Sequence, residues 1–255
     1  MGHPTPPAWY VISLRPQGGH DALRRAARRY GAALLALSPW RIQPCDGPAT
    51  RQSLRHALGC PLIVFTSPAA VTAAQVLQPL QAQPGQHWLA VGAGTAAALQ
   101  RAGIHASSPT RMDSEGLLAM APLQDIRGVD IGFVTAPDGR NLLMPTLQAR
   151  GARMHRADVY RREPLALPPR ALAALAALDR PACLLVSSAG ALEQVLAQLP
   201  PAVAARVRTA SVVAASERLA EAARAAGFVE VVQAEGPRPA QLMRRASSVM
   251  APRIR

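Results

Sequence analysis

One unit of this chain is written twice, about 120 residues apart. Val11-Ile12-Ser13-Leu14-Arg15-Pro16, a helix-like stretch to Gly31 and Ala32 to Trp40 are echoed by Phe133-Val134-Thr135-Ala136-Pro137, a helix-like stretch to Gly151 and Ala152 to Tyr160. Trp40 and Tyr160 each lie nine residues past their glycine. A second pair follows each echo: Val64-Phe65-Thr66-Ser67-Pro68 and Leu185-Val186-Ser187-Ser188-Ala189, leading into Ala69 to Leu77 and Gly190 to Leu199. A strand-helix-strand unit used twice predicts two like domains with one site between them.

Composition bounds the size of those domains. At 255 residues and 49% hydrophobic content, the chain can bury one large core or two ordinary ones. Its apolar runs are broken by Arg, Gln or Pro well before the roughly 20 residues that span a bilayer. Met1 to Pro7 carries no hydrophobic signal core, so the expectation is a soluble, cytoplasmic protein. Cys45, Cys60 and Cys183 are odd in number, far apart and in no metal-like spacing, and read as reduced packing residues. The net charge is +13, and all 28 basic residues are arginine. A GC-rich coding sequence accounts for arginine in place of lysine, but the excess of charge still asks for an anionic partner. Scattered arginines and 4% aromatics offer nucleic acid neither a basic stripe nor a stacking platform. An anionic small molecule suits the pattern better, since the guanidinium fork fits carboxylates and phosphates.

Strand-like and helix-like patterns alternate, which predicts an α/β protein with parallel sheets covered on both faces. Trp9–Leu14, Ala33–Leu37, Leu62–Thr66, Trp88–Val91, Val129–Thr135, Arg153–Val159, Ala182–Ser187, Thr209–Ala214 and Phe228–Val232 read as strands. His20–Tyr30 reads as a helix with Leu23, Ala26, Ala27 and Tyr30 inward and Arg24, Arg25, Arg28 and Arg29 on a solvated face. Thr95–Arg101, Glu115–Met120, Gly139–Arg150, Arg170–Leu178, Glu193–Leu199, Glu217–Ala226 and Ala240–Val249 are the other helix candidates. Ser38 to Pro44 and Asp158 to Pro164 are extended, proline-bounded and read as two crossings between domains. That reading makes one domain discontinuous (1–39 with 165–255) around an insert (40–164); two consecutive halves split near residue 127 are the competing division.

The chemical inventory lacks a His-x-x-x-His, a Cys-x-x-Cys, a nucleophile elbow and a Walker loop. Gly92-Ala93-Gly94-Thr95-Ala96-Ala97 matches the dinucleotide fingerprint in form. No acidic residue ends the next strand, however, so it reads as a tight strand-helix turn. The six histidines are dispersed and offer no acid/base pair. What remains are turns at strand ends bearing amides and hydroxyls: Thr66-Ser67, Gly92 to Thr95, Asp113 to Gly116, Ser187-Ser188 and Ala215-Ser216. Each serves as well for helix N-capping; five together suggest a site that holds a polyanion without a strong acid/base machine.

In the order and spacing of these segments the chain resembles the uroporphyrinogen-III synthase family. The matching stretches are Ile12 to Pro16, VFTSPAAV (64–71), AVGAGTAAAL (90–99), DSEGLL (113–118), Gly139 to Leu143, Arg150-Gly151, VYRREP (159–164), LVSSAGAL (185–192) and SERLAEAARAAG (216–227). The resemblance implies two flavodoxin-like domains joined by a two-stranded linker. It also implies cyclisation of hydroxymethylbilane, with ring D inversion and loss of water, to uroporphyrinogen III in the cleft between the domains. No metal or organic cofactor is expected. Tyr160 matches the family's linker tyrosine and is the catalytic candidate. Arg15, Thr66, Ser67, Gly92, Thr95, Ser114, Arg140, Ser187, Ser188 and Ser216 are the substrate-binding candidates. At Ser216 the chain departs from the Gly-Pro-Thr-Thr type of turn that many members carry. The expected partners are hydroxymethylbilane and, transiently, hydroxymethylbilane synthase, with no nucleic acid, no membrane and a monomeric state. A two-domain binding or sensor protein for an anionic small molecule is the alternative.

Overall fold

The computed structural model describes residues 7–111, 114–137 and 142–254. In chain order its strands are β1 (Trp9–Ser13), β2 (Ala32–Ala36), β3 (Trp40–Pro44), β4 (Leu62–Phe65), β5 (His87–Ala90), β6 (Asp130–Thr135), β7 (Arg153–Asp158), β8 (Tyr160–Pro164), β9 (Ala182–Val186), β10 (Ser211–Ala214) and β11 (Val231–Gln233). The chain forms two compact units. One runs to Arg41 and resumes at Pro164; the other is the insert Ile42–Glu163. β3 and β8 pair as a separate two-stranded sheet.

In the first unit the sheet order is β2-β1-β9-β10-β11, and every ladder is parallel. Numbered within the unit this is the flavodoxin-like order 2-1-3-4-5. The second unit has the parallel order β7-β6-β4-β5. There β6 and β7 take the places of β1 and β2, while β4 and β5 take those of β9 and β10. The two units are thus circular permutations of one plan, which is why the written repeat begins at β1 in one and at β6 in the other. Where the first unit has β11, the second has an isolated parallel bridge between Leu89 and Ser107.

Parallel strands need crossovers that cover both faces, so their sequences are apolar at every position rather than at alternate ones. In the first unit Ile12, Leu184, Val186, Val212 and Ala214 pack against Leu175, Leu192, Val195, Val207 and Leu219 of four helices. The alternate residues Val11, Cys183, Leu185 and Val213 meet Leu23 and Ala27 of the helix Asp21–Arg28 and Leu242, Met243 and Ala246 of the helix Pro239–Met250. The second unit divides likewise. Ile63, Phe65, Trp88 and Val134 pack with Leu54, Val71 and Leu99, and Phe65 stacks on Trp88 at 5.7 Å between ring centroids. Leu62, Val64, Leu89, Ile131 and Phe133 pack on the other face with Leu117, Leu143 and Leu147. Among the described residues no helix is long and apolar enough to cross a membrane.

Several expected boundaries move, each for a local reason. Phe228 lies outside β11: its N–H bonds the Ala223 carbonyl at 3.2 Å in the left-handed cap formed after Gly227 (φ +90°), and its ring fills the core. Thr209 and Ala210 close the helix Pro201–Arg208 before β10 begins. That helix and Pro48–Leu58, both opening on proline, are additions to the sequence pattern, in which interspersed arginines hide the apolar period. Of the stretch expected as a helix over Gly139–Arg150, residues 139–141 lie outside the described residues and Leu143–Ala149 is helical.

Gly132 in β6 marks a close approach of helix and sheet. A Cβ there would lie 1.9 Å from the Ala57 carbonyl oxygen of the helix Pro48–Leu58. Gly132→Ala is expected to destabilise the protein by about 3 kcal/mol, because backbone must shift to admit one methyl group. Urea unfolding with an unchanged slope and a lower midpoint is the expected result; an unchanged midpoint refutes the close contact.

Candidate functional site

Because the sheet of each unit is wholly parallel, its strand C-termini and the N-termini of the following helices share one edge. Ligands of such sheets gather where the strand order reverses: between β1 and β9 in the first unit, and between β6 and β4 in the second. Apart from Arg140, which lies outside the described residues, the sequence candidates follow the strands that end on these two edges.

In the second unit the edge is built from hydroxyls. Thr66, just past β4, donates to Oγ1 of Thr135 at the end of β6 (2.9 Å), so the two strands at the reversal are tied through side chains. Ser67 caps the helix Pro68–Leu77, its Oγ accepting the Ala70 N–H at 3.1 Å. The same Oγ lies 3.1 Å from the hydroxyl of Tyr160. Tyr160 begins β8, two residues after β7 ends, and is only 3% exposed. Its ring sits in the core with Phe65 and Val159, while its hydroxyl emerges at the edge beside a helix N-terminus. Gly92 caps the helix Ala93–Arg101 through its carbonyl, which accepts the N–H groups of Thr95 and Ala96. Thr95 is buried, and its hydroxyl has no hydrogen-bond partner among the described residues. Ser114 opens the short helix Ser114–Leu118; Arg140 lies outside the described residues.

In the first unit the edge combines charge with hydroxyls. Ser188 caps the helix Ala189–Leu196, accepting the Ala191 N–H at 3.3 Å. Ser216 caps Glu217–Ala225 with its carbonyl alone, which leaves its hydroxyl unspent, and Ser187 is exposed beside β9. The capping explanation therefore accounts for the side chains of Ser67 and Ser188 but not for those of Ser187 and Ser216. Arg15 follows β1. It is half-buried, has no carboxylate partner among the described residues, and bonds only the Pro237 carbonyl, at 3.5 Å. Burial pushes its pKa below the ordinary value, the mark of a cation short of compensation.

Sequence reasoning passes over a cluster on this edge. His20, 5% exposed, places Nδ1 at 2.9 Å from the hydroxyl of Ser13 and Nε2 at 2.9 Å from that of Ser38. Ser13 ends β1 and Ser38 lies just beyond β2. Burial, then the nearby Arg24 and Arg15, lower the His20 pKa to about 4, so the ring is neutral near pH 7. The repeat itself held the signal: the echoed runs Val11-Ile12-Ser13 and Phe133-Val134-Thr135 each end a strand next to the point of strand reversal on a buried hydroxyl. At the corresponding edge of the second unit Asp158, the last residue of β7, pairs with Arg156 at 2.9 Å. Asp130, held well below the carboxylate range by hydrogen bonds from Arg153 and His155, lies at the start of β6, on the opposite edge. No group of three metal-ligating side chains occurs among the described residues. The three cysteines are free, and burial pushes the Cys60 and Cys183 thiols up to about 11 and about 12.

Residues 21–244 match the family model for uroporphyrinogen-III synthase HemD. Two solved structures share the fold. A mutant uroporphyrinogen III synthase from Thermus thermophilus is 21% identical, with 95% of this chain and 99% of that one aligned at a TM-score of 0.62. Uroporphyrinogen-III synthetase from Helicobacter pylori is 13% identical, with 94% and 99% aligned at 0.61.

The buried neutral imidazole has a measurable signature. Its folded pKa lies below the roughly 6.5 of an unfolded chain, so between these values the unfolded state holds the extra proton. The stability it contributes is complete above about pH 6.5 and is lost as the pH falls towards about 4, a change on the order of 3 kcal/mol. Urea unfolding of the wild type is expected to weaken across this window more steeply than that of His20→Gln; parallel profiles refute the assignment.

Proposed function

This chain belongs to the uroporphyrinogen-III synthase family, enzymes of tetrapyrrole biosynthesis, and we propose that its two hydroxyl-rich sheet edges hold hydroxymethylbilane by its carboxylates while ring D inverts. The observation that carries the reading is the Tyr160 hydroxyl, fixed 3.1 Å from Ser67 Oγ at the C-terminal edge of a parallel sheet.

The substrate bears eight carboxylates, and the reaction removes one hydroxyl group, generates an electrophilic azafulvene and closes the ring through a spiro intermediate. Such chemistry asks for anion binding, fixed geometry and one weak acid, rather than a strong base. Arg15 supplies a charge-assisted partner for a carboxylate. The amides at the starts of the helices Pro68–Leu77, Ala93–Arg101, Ala189–Leu196 and Glu217–Ala225 supply neutral donors. The unspent hydroxyls of Thr95, Ser187 and Ser216 supply others. Tyr160 transfers its phenolic proton to the departing hydroxyl, so that water leaves and the phenolate lies beside the cationic azafulvene; the proton that the pyrrole carbon loses on ring closure returns to the phenolate. Because Ser67 is itself anchored to the Ala70 N–H, the phenol is held before substrate arrives, and that preorganisation lowers the barrier. Orienting both ends of the flexible tetrapyrrole suppresses the spontaneous closure that leaves ring D uninverted. The same reading has the protein act as a cytoplasmic monomer that receives its labile substrate from hydroxymethylbilane synthase by transient contact.

With fresh hydroxymethylbilane, oxidation of the products and chromatography of the uroporphyrin isomers, the wild type is expected to give mainly isomer III. Isomer I alone from folded protein overturns the reading in favour of a binding protein. Tyr160→Phe is expected to lower kcat by about 10²-fold, the low end for loss of a positioned acid, with the thermal midpoint little changed. An unaltered kcat removes Tyr160 from the chemistry.

A further inference from the structure

We infer that His20 is a positioning residue that clamps the loop carrying Arg15, so that the guanidinium is set for a substrate carboxylate before binding; this rests on the reading above.

The loop leaves β1 at Ser13 and returns at His20, at the head of the helix Asp21–Arg28. It turns tightly, with the Gly19 N–H on the Pro16 carbonyl at 2.9 Å and Gly18 in the left-handed region at φ +79°. Gln17 N–H bonds the Trp40 carbonyl at 3.0 Å. The imidazole then ties the loop's two ends together through Ser13 and fixes both to the end of β2 through Ser38. Arg15 lies inside this clamp, and its own side chain contributes only the long bond to Pro237.

The clamp suits a neutral ring, which accepts from one hydroxyl and donates to the other. A cationic ring would add a second buried positive charge beside Arg15, whose charge already lacks a carboxylate. Glutamine could replace one of the two bonds and alanine neither. In the second unit the strand end of β6 is held differently, by the direct bond of Thr66 to Thr135.

The test is steady-state kinetics with hydroxymethylbilane on wild type, His20→Gln, Ser38→Ala, Arg15→Ala and the doubles with Arg15→Ala. Positioning of a group that binds substrate and transition state alike raises KM, by about tenfold in each clamp variant, with kcat within about twofold. In the Arg15→Ala background the clamp substitutions are expected to have no further effect on KM, because the group they position is gone. Multiplicative KM effects in the doubles, or losses confined to kcat that track a smaller folded fraction, overturn the inference and leave the proposed function standing. Absence of isomer III from the wild type overturns both. Should His20→Gln fail to fold, Ser38→Ala, which loses one bond of the clamp at a half-buried hydroxyl, decides the matter alone.

Discussion

Parallel pairing is the constraint on which the rest of the structure depends. A strand that runs the same way as its neighbour cannot be reached by a tight turn, so each connection crosses a face of the sheet as a helix. All strand C-termini then lie on one edge together with the N-termini of the helices that follow. Both candidate edges are consequences of this: Thr66, Ser67, Gly92, Thr135 and Tyr160 meet because β4, β5, β6 and β7 end side by side. Arg15, Ser38, Ser187 and Ser216 share an edge for the same reason in the other unit.

One plan is furnished in two ways. On the insert's edge the strand reversal is lined by hydroxyls bonded to one another, helix amides and a phenol, with the Arg156–Asp158 ion pair at the end of β7. The other unit places a guanidinium within the loop after β1 and braces it with a neutral imidazole. For a polycarboxylate that must be folded rather than merely bound, the two kinds of donor do different work. An arginine fixes a carboxylate strongly, whereas amides and hydroxyls let the substrate settle without the desolvation cost of many fixed charges.

Composition suggested that the arginine excess exists for an anionic partner, and the structure narrows that inference. Many of these side chains are spent on the protein's own carbonyl groups. Arg150 bonds those of Leu118 and Leu123 at 2.7 and 2.8 Å, Arg156 reaches Ala136 and Pro137, and Arg208 holds Ala226. Others pair with acids, as Arg24 does with Asp21 and Arg253 with Glu230. Arg15 differs from all of these in being half-buried with neither a carboxylate nor a short carbonyl bond, which is why its local environment says more than the net charge does.

The alternation of apolar runs and glycine caps is local information, and from it the sequence alone determined an α/β chain of parallel sheets. Gly31 and Gly151 do adopt the left-handed conformation (φ +67° and +90°) that the repeat requires of them. The hydroxyl-rich turns were legible too, since a residue that follows a strand and precedes a helix has its place set by its neighbours in the chain. Tertiary structure decided which of those hydroxyls are spent. Ser67 and Ser188 cap with their side chains, Ser216 does not, and nothing in the three turns distinguishes them until the helices are packed. It also brought Ser67 to Tyr160 and His20 to Ser13 and Ser38, contacts between residues 93, 7 and 18 positions apart. A dispersed histidine carries no periodic signal, and its role exists only where β1 and β2 end next to one another.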